Sequence, residues 1–580
     1  MSSLARSFIE RVRAGLSGGV DLSRLSQWIC RNTRHPKYPD RHWNFKEHEF
    51  QIGIVNDSSN DMVVKKCSQV GLSEVSVRST LGMIDIKPNS TAIYTLPTGG
   101  FATTFVKSRF DPVITDSPEL RQKMDPETDN TSLKRIGGSF LYIRGTFTQT
   151  AAISVPADIL IHDEVDFSDP LTLTSFTSRL GHVKEEDVIR RRFSTPTVSG
   201  FGVSLLFEQS SQKWYAVKCE HCESWQVPMF ERDVVIPGFD GSILKDLEKE
   251  DLTDPRYLFD DAYLACPGCK RQLSVGNLAN PERRQWVAAK PEATRSGYQV
   301  QPFDVPTINP VRRTLKYLDD FDRKADWVNF KLGKDYQDAE TSFVKAAVDK
   351  AFCLRQVSPM AGAATDTVVG VDVGKTSWIS ICLPNELTGL DTIYYERVKL
   401  QGPETLPSRV KQLFEWYGAQ MCIIDAGPEW TQALAVIEAL PAGRAFACYY
   451  RSVSKPKLSF VELDEENHVA LADRTGIISQ AAKKVNGGMH RFCKGPDTQT
   501  YKAHLDSLKK VTRRDANGKD VEAWVNNGPD HYGHSLFFAS VADNLLSYKP
   551  KVSVIPALPL PGKAKMKGLE EREPRFQYGP

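Results

Sequence analysis

Val63-Val64-Lys65-Lys66-Cys67-Ser68-Gln69-Val70-Gly71-Leu72-Ser73-Glu74 is the stretch on which the reading of this chain turns. An apolar pair runs into a loop holding lysine, glycine and a hydroxyl, the residue types that enclose a phosphate. Glycine lets backbone N–H groups close around it, lysine neutralises it and the hydroxyl holds magnesium. The order departs from G-x-x-x-x-G-K-[ST], because no lysine stands directly before Ser73. Further along, Ile159-Leu160-Ile161-His162 runs into Asp163-Glu164, a Walker B pattern. Its first carboxylate suits a metal and its second an attacking water; a strand ending in ordinary surface acids is the competing reading. Thr91 to Leu96, followed by Pro97-Thr98-Gly99, reads as a strand returning to the same edge, and Phe193-Ser194-Thr195-Pro196 as a polar turn after it.

Two further constellations lie downstream. Cys219-Glu220-His221-Cys222 and Cys266-Pro267-Gly268-Cys269 are C-x-x-C knuckles with 43 residues between them. Four thiolates so spaced suit a closed structural Zn²⁺ site; a redox pair is the alternative. Val368-Val369-Gly370-Val371-Asp372-Val373-Gly374 places one carboxylate in the middle of an otherwise apolar, glycine-flanked strand, and the apolar run Met421-Cys422-Ile423-Ile424 ends in Asp425, two capped strand ends being the competing reading. Burying such charges is costly without a cation, so Asp372 and Asp425 are candidate Mg²⁺ or Mn²⁺ ligands. Asp530 and His534, four apart at the start of an apolar helix, share a face and compete for the third ligand position. Asp473 is a lesser candidate. Lys509, Lys510, Arg513 and Arg514 either contact DNA phosphates or form a solvated basic strand.

The 580 residues are too many for one core. Their 41% hydrophobic and 25% charged content is that of an ordinary globular protein. A net charge of +2 restricts any nucleic-acid contact to local basic grooves. The eleven cysteines, four of them paired in knuckles, suit a reducing compartment. No apolar run reaches membrane-spanning length and the first residues lack a signal-peptide core, so a cytoplasmic protein without membrane contact is expected. The chain reads as α/β: an arm over 1–42, a first domain over 43–357 with a cysteine insertion near 215–275, a second over 358–548, and a flexible tail over 549–580. In the second domain Leu508 to Arg514 and Val521 to Val525 flank a turn at Asn517-Gly518.

The serial order of these parts resembles the lambda-type branch of phage terminase large subunits, from about Trp43 to Tyr548. That family places its phosphate-loop lysine several residues before Gly-x-Ser, which fits Lys66, Gly71 and Ser73. The resemblance implies an ATPase domain of P-loop type joined to an RNase H-like nuclease. Lys66, Gly71, Ser73 and Asp163 would bind ATP and Mg²⁺, Glu164 would be catalytic, and Ser194-Thr195 would couple hydrolysis to DNA movement. Asp372, Asp425 and Asp530 or His534 would cut DNA with two metals. It further implies packaging of double-stranded viral DNA in the host cytoplasm, with a small terminase subunit and a procapsid portal as partners and a homo-oligomeric motor. A helicase-like translocase with a non-cleaving second domain, and a nucleotide-binding scaffold without catalysis, are the rival readings.

Overall fold

A computed structural model describes residues 21–146, 155–336, 342–356, 366–399, 405–427, 429–451, 460–514 and 520–547. By contact the chain falls into two units, 1–337 with 511–522 and 338–510 with 523–580.

The first unit is built on a sheet whose centre holds β1 (Asp61–Lys66), β2 (Thr91–Leu96), β3 (Ser139–Gly145), β4 (Ile159–Asp163), β5 (Ile189–Ser194), β6 (Lys213–Lys218) and β7 (Ser296–Val300). Their order is β6-β7-β1-β5-β4-β2-β3, with every neighbouring pair parallel. Leu133–Ile136 and Met124–Asp129 continue it antiparallel beyond β3, and Arg284–Ala288 pairs antiparallel with β6. Strand β4 is buried at every position because both faces of the sheet are covered. Ala92, Ile159 and Ile161 point into the main core, while Ile93 and Leu160 meet Phe176 and Leu180 on the other side.

Three expectations about organisation need correction. Residues 21–42 are not an arm throughout: Leu22, Leu25 and Ile29, around helix α1 (Leu25–Asn32), are part of the main core, while Tyr38–His42 is exposed. Gly82 is what admits α1, since a Cβ there would lie 2.6 Å from Leu25 Cδ1. The cysteine insertion starts later than residue 215, because Tyr215 to Lys218 complete the main-sheet strand β6. Its core also reaches beyond residue 275, joining Phe230, Leu247 and Leu264 to Phe303, Leu315 and Trp327.

The third correction concerns the boundary at 357. The second unit already includes helix α4 (Lys345–Ala351) and strand β8 (Phe352–Arg355). Its remaining strands are β9 (Thr367–Asp372), β10 (Thr376–Pro384), β11 (Leu390–Lys399), β12 (Ala419–Asp425), β13 (Ala445–Arg451), β14 (Val461–Asp464), β15 (Val469–Asp473) and β16 (Arg491–Lys494). They run β8-β16-β11-β10-β9-β12-β13-β15-β14. Thus β8 pairs with a strand far along the chain, and no local signal announces that. Strands β9, β10 and β11 form an antiparallel meander, and β12 and β13 add to β9 in parallel.

Helix α7 (His531–Ser547) presses directly on β9. Gly370 permits this, since a Cβ there would meet Ser535 O at 1.9 Å and Ala539 N at 2.4 Å. The flanks Leu508–Arg514 and Asp520–Asn526 are strands as expected; Asn517-Gly518 lies outside the described residues, as does the tail.

Candidate functional site

The phosphate-type loop bridges β1 and helix α2 (Leu72–Ile86). Gly71 caps the helix at φ +74°, a left-handed conformation that favours glycine. Backbone bonds brace the loop from behind: Cys67 N–H donates to Val300 O at 3.2 Å and Ser68 N–H to Phe330 O at 2.6 Å. Lys66, Gly71, Ser73, Pro97, Glu164 and Thr195 line one cavity of about 830 Å³ at the C-terminal edge of the parallel strands.

Within it Lys66, only 6% exposed, pairs with Glu164 at 3.3 Å. Burial alone would lower the lysine's pKa, but the charges of Glu164 and Asp163 outweigh it and hold it raised. Asp163 ends β4 and is buried beside Ser73. Tyr94 Oη donates to its Oδ2 at 2.8 Å. Burial first, and then the Glu164 charge, push its carboxyl up to about 6 against the opposing pull of Lys66. Glu164 itself sits at φ 57°, rare for a residue with a side chain. A buried cation, two acids and a hydroxyl around a cavity form a donor set suited to a magnesium-bound polyphosphate.

Lys65 turns elsewhere, to an ion pair with Asp335, so of the adjacent lysines Lys66 is the one at the cavity. His162, the polar member of β4, is accommodated by Thr95 Oγ1, 2.5 Å from its Nδ1. Burial, with Arg192 nearby, lowers its pKa to about 3, which keeps it neutral. Of the Ser-Thr-Pro turn, Thr195 lines the cavity, while Ser194 is buried and accepts from Asp166 N–H at 3.2 Å.

The cysteine knuckles repeat one hydrogen-bond pattern. Cys219 N–H donates to Ser224 O and Glu223 N–H to Cys219 O; Cys266 N–H donates to Arg271 O and Lys270 N–H to Cys266 O. The turns bring all four sulfurs within 4.8 Å of one another. Cys219 and Cys269 Sγ are 3.8 Å apart, and Cys222 and Cys266 Sγ 3.9 Å. Sulfurs placed about 2.3 Å from a tetrahedral Zn²⁺ stand about 3.8 Å from each other, so the cluster fits that ion.

In the second unit, the parallel register Val371↔Ile424 sets Asp372 and Asp425 side by side at adjacent strand ends. The Asp425 carboxyl is pushed up by burial and by Asp372, although Gly427 N–H and His534 act against this. Asp530 precedes α7 and accepts from His534 Nε2 at 3.1 Å. Burial would raise Asp530, but the bond and charge of His534, then His531 and Arg474, hold it below the usual carboxylate range. The four predicted ligands are neighbours, yet among the described residues only the cysteines draw three or more ligand atoms within 4.8 Å.

His531 was missed by the sequence reading. Its Nδ1 lies 2.9 Å from Asp372 Oδ2 and its ring stacks on Trp378; the Asp372 bond raises its pKa. The basic set also needs correction. Lys509 is 3% exposed and paired with Asp506 at 3.1 Å, so it belongs to no solvated strand. Lys510 is partly buried, and the side chains of Arg513 and Arg514 lie outside the described residues.

Residues 42–279 match the family model described as "Phage terminase large subunit gpA, ATPase domain". No curated protein matches the chain. Among solved structures, the large terminase of bacteriophage HK97 is similar at 10% identity and a TM-score of 0.49, covering 90% of this chain and 99% of that one. A large terminase from a thermophilic bacteriophage, solved in complex with ADP, is similar at 10% identity and TM-score 0.28, over 83% and 93%. The large terminase nuclease of thermophilic phage G20c with bound magnesium is similar at 17% identity and TM-score 0.24, over 35% and 97%. With TM-scores below 0.5 these stand as similarities alone. The family match covers β1, the loop at Gly71, β4 and both knuckles, so residues 42–279 are similar to the ATPase domain of phage terminase large subunits of the gpA kind.

Proposed function

We propose that this chain is the large subunit of a DNA-packaging motor: its first unit hydrolyses ATP to move double-stranded DNA, and its second cuts that DNA. The observation that carries the reading is the meeting of Lys66, Ser73 and Glu164 on one cavity at the C-terminal edge of a parallel sheet, with Asp163 buried beside Ser73. That is the P-loop arrangement, in which Lys66 neutralises phosphate and Ser73 and Asp163 hold magnesium. The magnesium, when bound, withdraws charge from the phosphate oxygens. Glu164 accepts the proton of the attacking water. As nucleotide enters, Lys66 exchanges its bond to Glu164 for the phosphates, which frees the carboxylate to act as base.

The second unit supports an RNase H-like nuclease, because a three-strand meander extended by two parallel strands carries Asp372 and Asp425 on adjacent ends, with Asp530 and His534 beside them. Those four would hold two Mg²⁺ or Mn²⁺ ions; the cysteine cluster would hold a structural Zn²⁺. A small terminase subunit, a procapsid portal and further copies of the chain complete the motor in the host cytoplasm. No helix among the described residues is long and apolar enough to cross a membrane.

The test is steady-state ATP turnover with and without duplex DNA, together with plasmid cleavage in Mn²⁺ with and without chelator. DNA-stimulated turnover and chelator-sensitive cleavage are expected. Turnover without any cleavage leaves a translocase, and neither activity leaves a scaffold.

A further inference from the structure

Glu164 carries a conformational cost. A non-glycine residue in the left-handed region is disfavoured and persists only where its surroundings over-determine it. The short turn after it, Val165–Phe167, holds Asp166, which is 0% exposed. Asp166 Oδ1 accepts from Val203 N–H at 2.7 Å, and Oδ2 from both Thr197 N–H and Thr197 Oγ1 at 2.9 Å. Its own N–H donates to Ser194 Oγ at 3.2 Å. Gly202, at φ +49°, opens the space, since a Cβ there would lie 2.2 Å from Asp166 Oδ1.

These bonds join three segments: the turn carrying Glu164, the Ser194–Thr197 turn, and the start of helix α3 (Gly202–Glu208). The connection continues. Thr197 O accepts from Asn329 Nδ2 at 2.5 Å and from Tyr336 N–H at 3.1 Å. Ser68 N–H in turn donates to Phe330 O, which returns the circuit to the phosphate loop. Each link is buried or backbone-borne, so displacing one of these segments strains the others.

We propose that Asp166 is a positioning residue for ATP hydrolysis: it locks Glu164 in its left-handed conformation and ties that carboxylate's loop to the Ser194–Thr197 turn. The role rests on the reading of the first unit as an ATPase and deepens it. Asp166 is not among the residues that line the cavity, so its loss should alter turnover and leave nucleotide binding almost intact.

The experiment uses the full chain, with nucleotide affinity measured by a fluorescent ATP analogue, turnover by phosphate release, and amide hydrogen exchange. In Asp166→Ala, kcat should fall at least about tenfold while the dissociation constant changes less than about threefold, as expected of lost orientation. The amides of Thr197 and Val203 should lose protection while those of β4 keep theirs. Asp166→Asn should not restore turnover, because in either orientation its NH₂ faces a backbone N–H, of Val203 or of Thr197. Should Asp166→Ala fail to fold, Thr197→Val removes one donor and should show the same split at about threefold. Wild-type turnover in folded Asp166→Ala, or parallel loss of binding and turnover, overturns the role. Wild-type protein that binds no nucleotide overturns the ATPase reading itself, a failure distinguishable from the other.

Discussion

Asp163→Asn should make the nucleotide-free protein more stable while removing its ATPase activity. The buried carboxylate ends β4 with its carboxyl pushed up from the ordinary 3.8 to about 6. Keeping it ionised at pH 8 therefore costs the native state about 3 kcal/mol, at 1.36 kcal/mol for each tenfold change. The sign follows from the raised value: below about pH 4 the group is protonated in both states and the cost is absent. It grows between about 4 and 6 and is complete above that. An amide preserves shape and still accepts from Tyr94 Oη at one position, so the variant sheds the charge, and the gain is reduced by the NH₂ that then replaces the oxygen accepting Glu164 N–H at 3.1 Å. For a unit of this size, about 3 kcal/mol corresponds to roughly 4 °C in melting temperature. The assay is thermal melting at pH 8 and pH 5, following the transition that an ATP analogue shifts in the wild type. A gain at pH 8 that shrinks at pH 5 is expected, with turnover abolished because magnesium loses its carboxylate. A variant less stable at pH 8, or a gain independent of pH, refutes the reasoning.

Glu164→Gln should bind ATP and hydrolyse it at least about a hundredfold more slowly, since the amide cannot act as base; wild-type turnover removes Glu164 from the role. Lys66→Ala should weaken nucleotide binding, whereas Lys65→Ala, which loses the Asp335 pair and the contact with the Phe207 ring away from the cavity, should not; titration of both with a fluorescent analogue decides the register. Purified protein should contain about one zinc per chain, and Cys219→Ser or chelation should lower the melting temperature before either activity changes selectively. Reduced protein without zinc by metal analysis counts against that. Asp372→Asn or Asp425→Asn should abolish plasmid cleavage while DNA-stimulated ATP turnover persists; cleavage at the wild-type rate in both Mg²⁺ and Mn²⁺ defeats the nuclease assignment.

What could be read from the residues alone was mostly local. An apolar run closing in Asp163-Glu164 announces a buried strand with acids at its end, and the observed strand has the expected bounds. The knuckles are equally local, because each C-x-x-C turn builds itself from its own backbone bonds. Contacts across the chain were not legible. His531 reaches Asp372 over 159 positions, and no spacing rule links them. Lys509 looks like a surface base in a run of Lys and Arg, yet in the fold it is buried and its backbone bridges to Ser342, far off in the sequence. Strand β8 was assigned to the wrong side of the boundary because its partner β16 is distant in sequence. Leu22, Leu25 and Ile29 sit among arginines and polar residues that suggested an arm, although their apolar face is core.

The bare backbone at Gly370 bears on how the second unit tolerates change. Helix α7 meets β9 main chain to main chain, so the offset between Asp530 and Asp372 is gauged by peptide groups rather than by side chains that can repack. A single added methyl at residue 370 lengthens that offset, with Ser535 O and Ala539 N already inside its radius. The geometry of the acidic cluster is thus sensitive at one backbone position, where the smallest possible substitution pushes the helix outward together with Asp530 and His534.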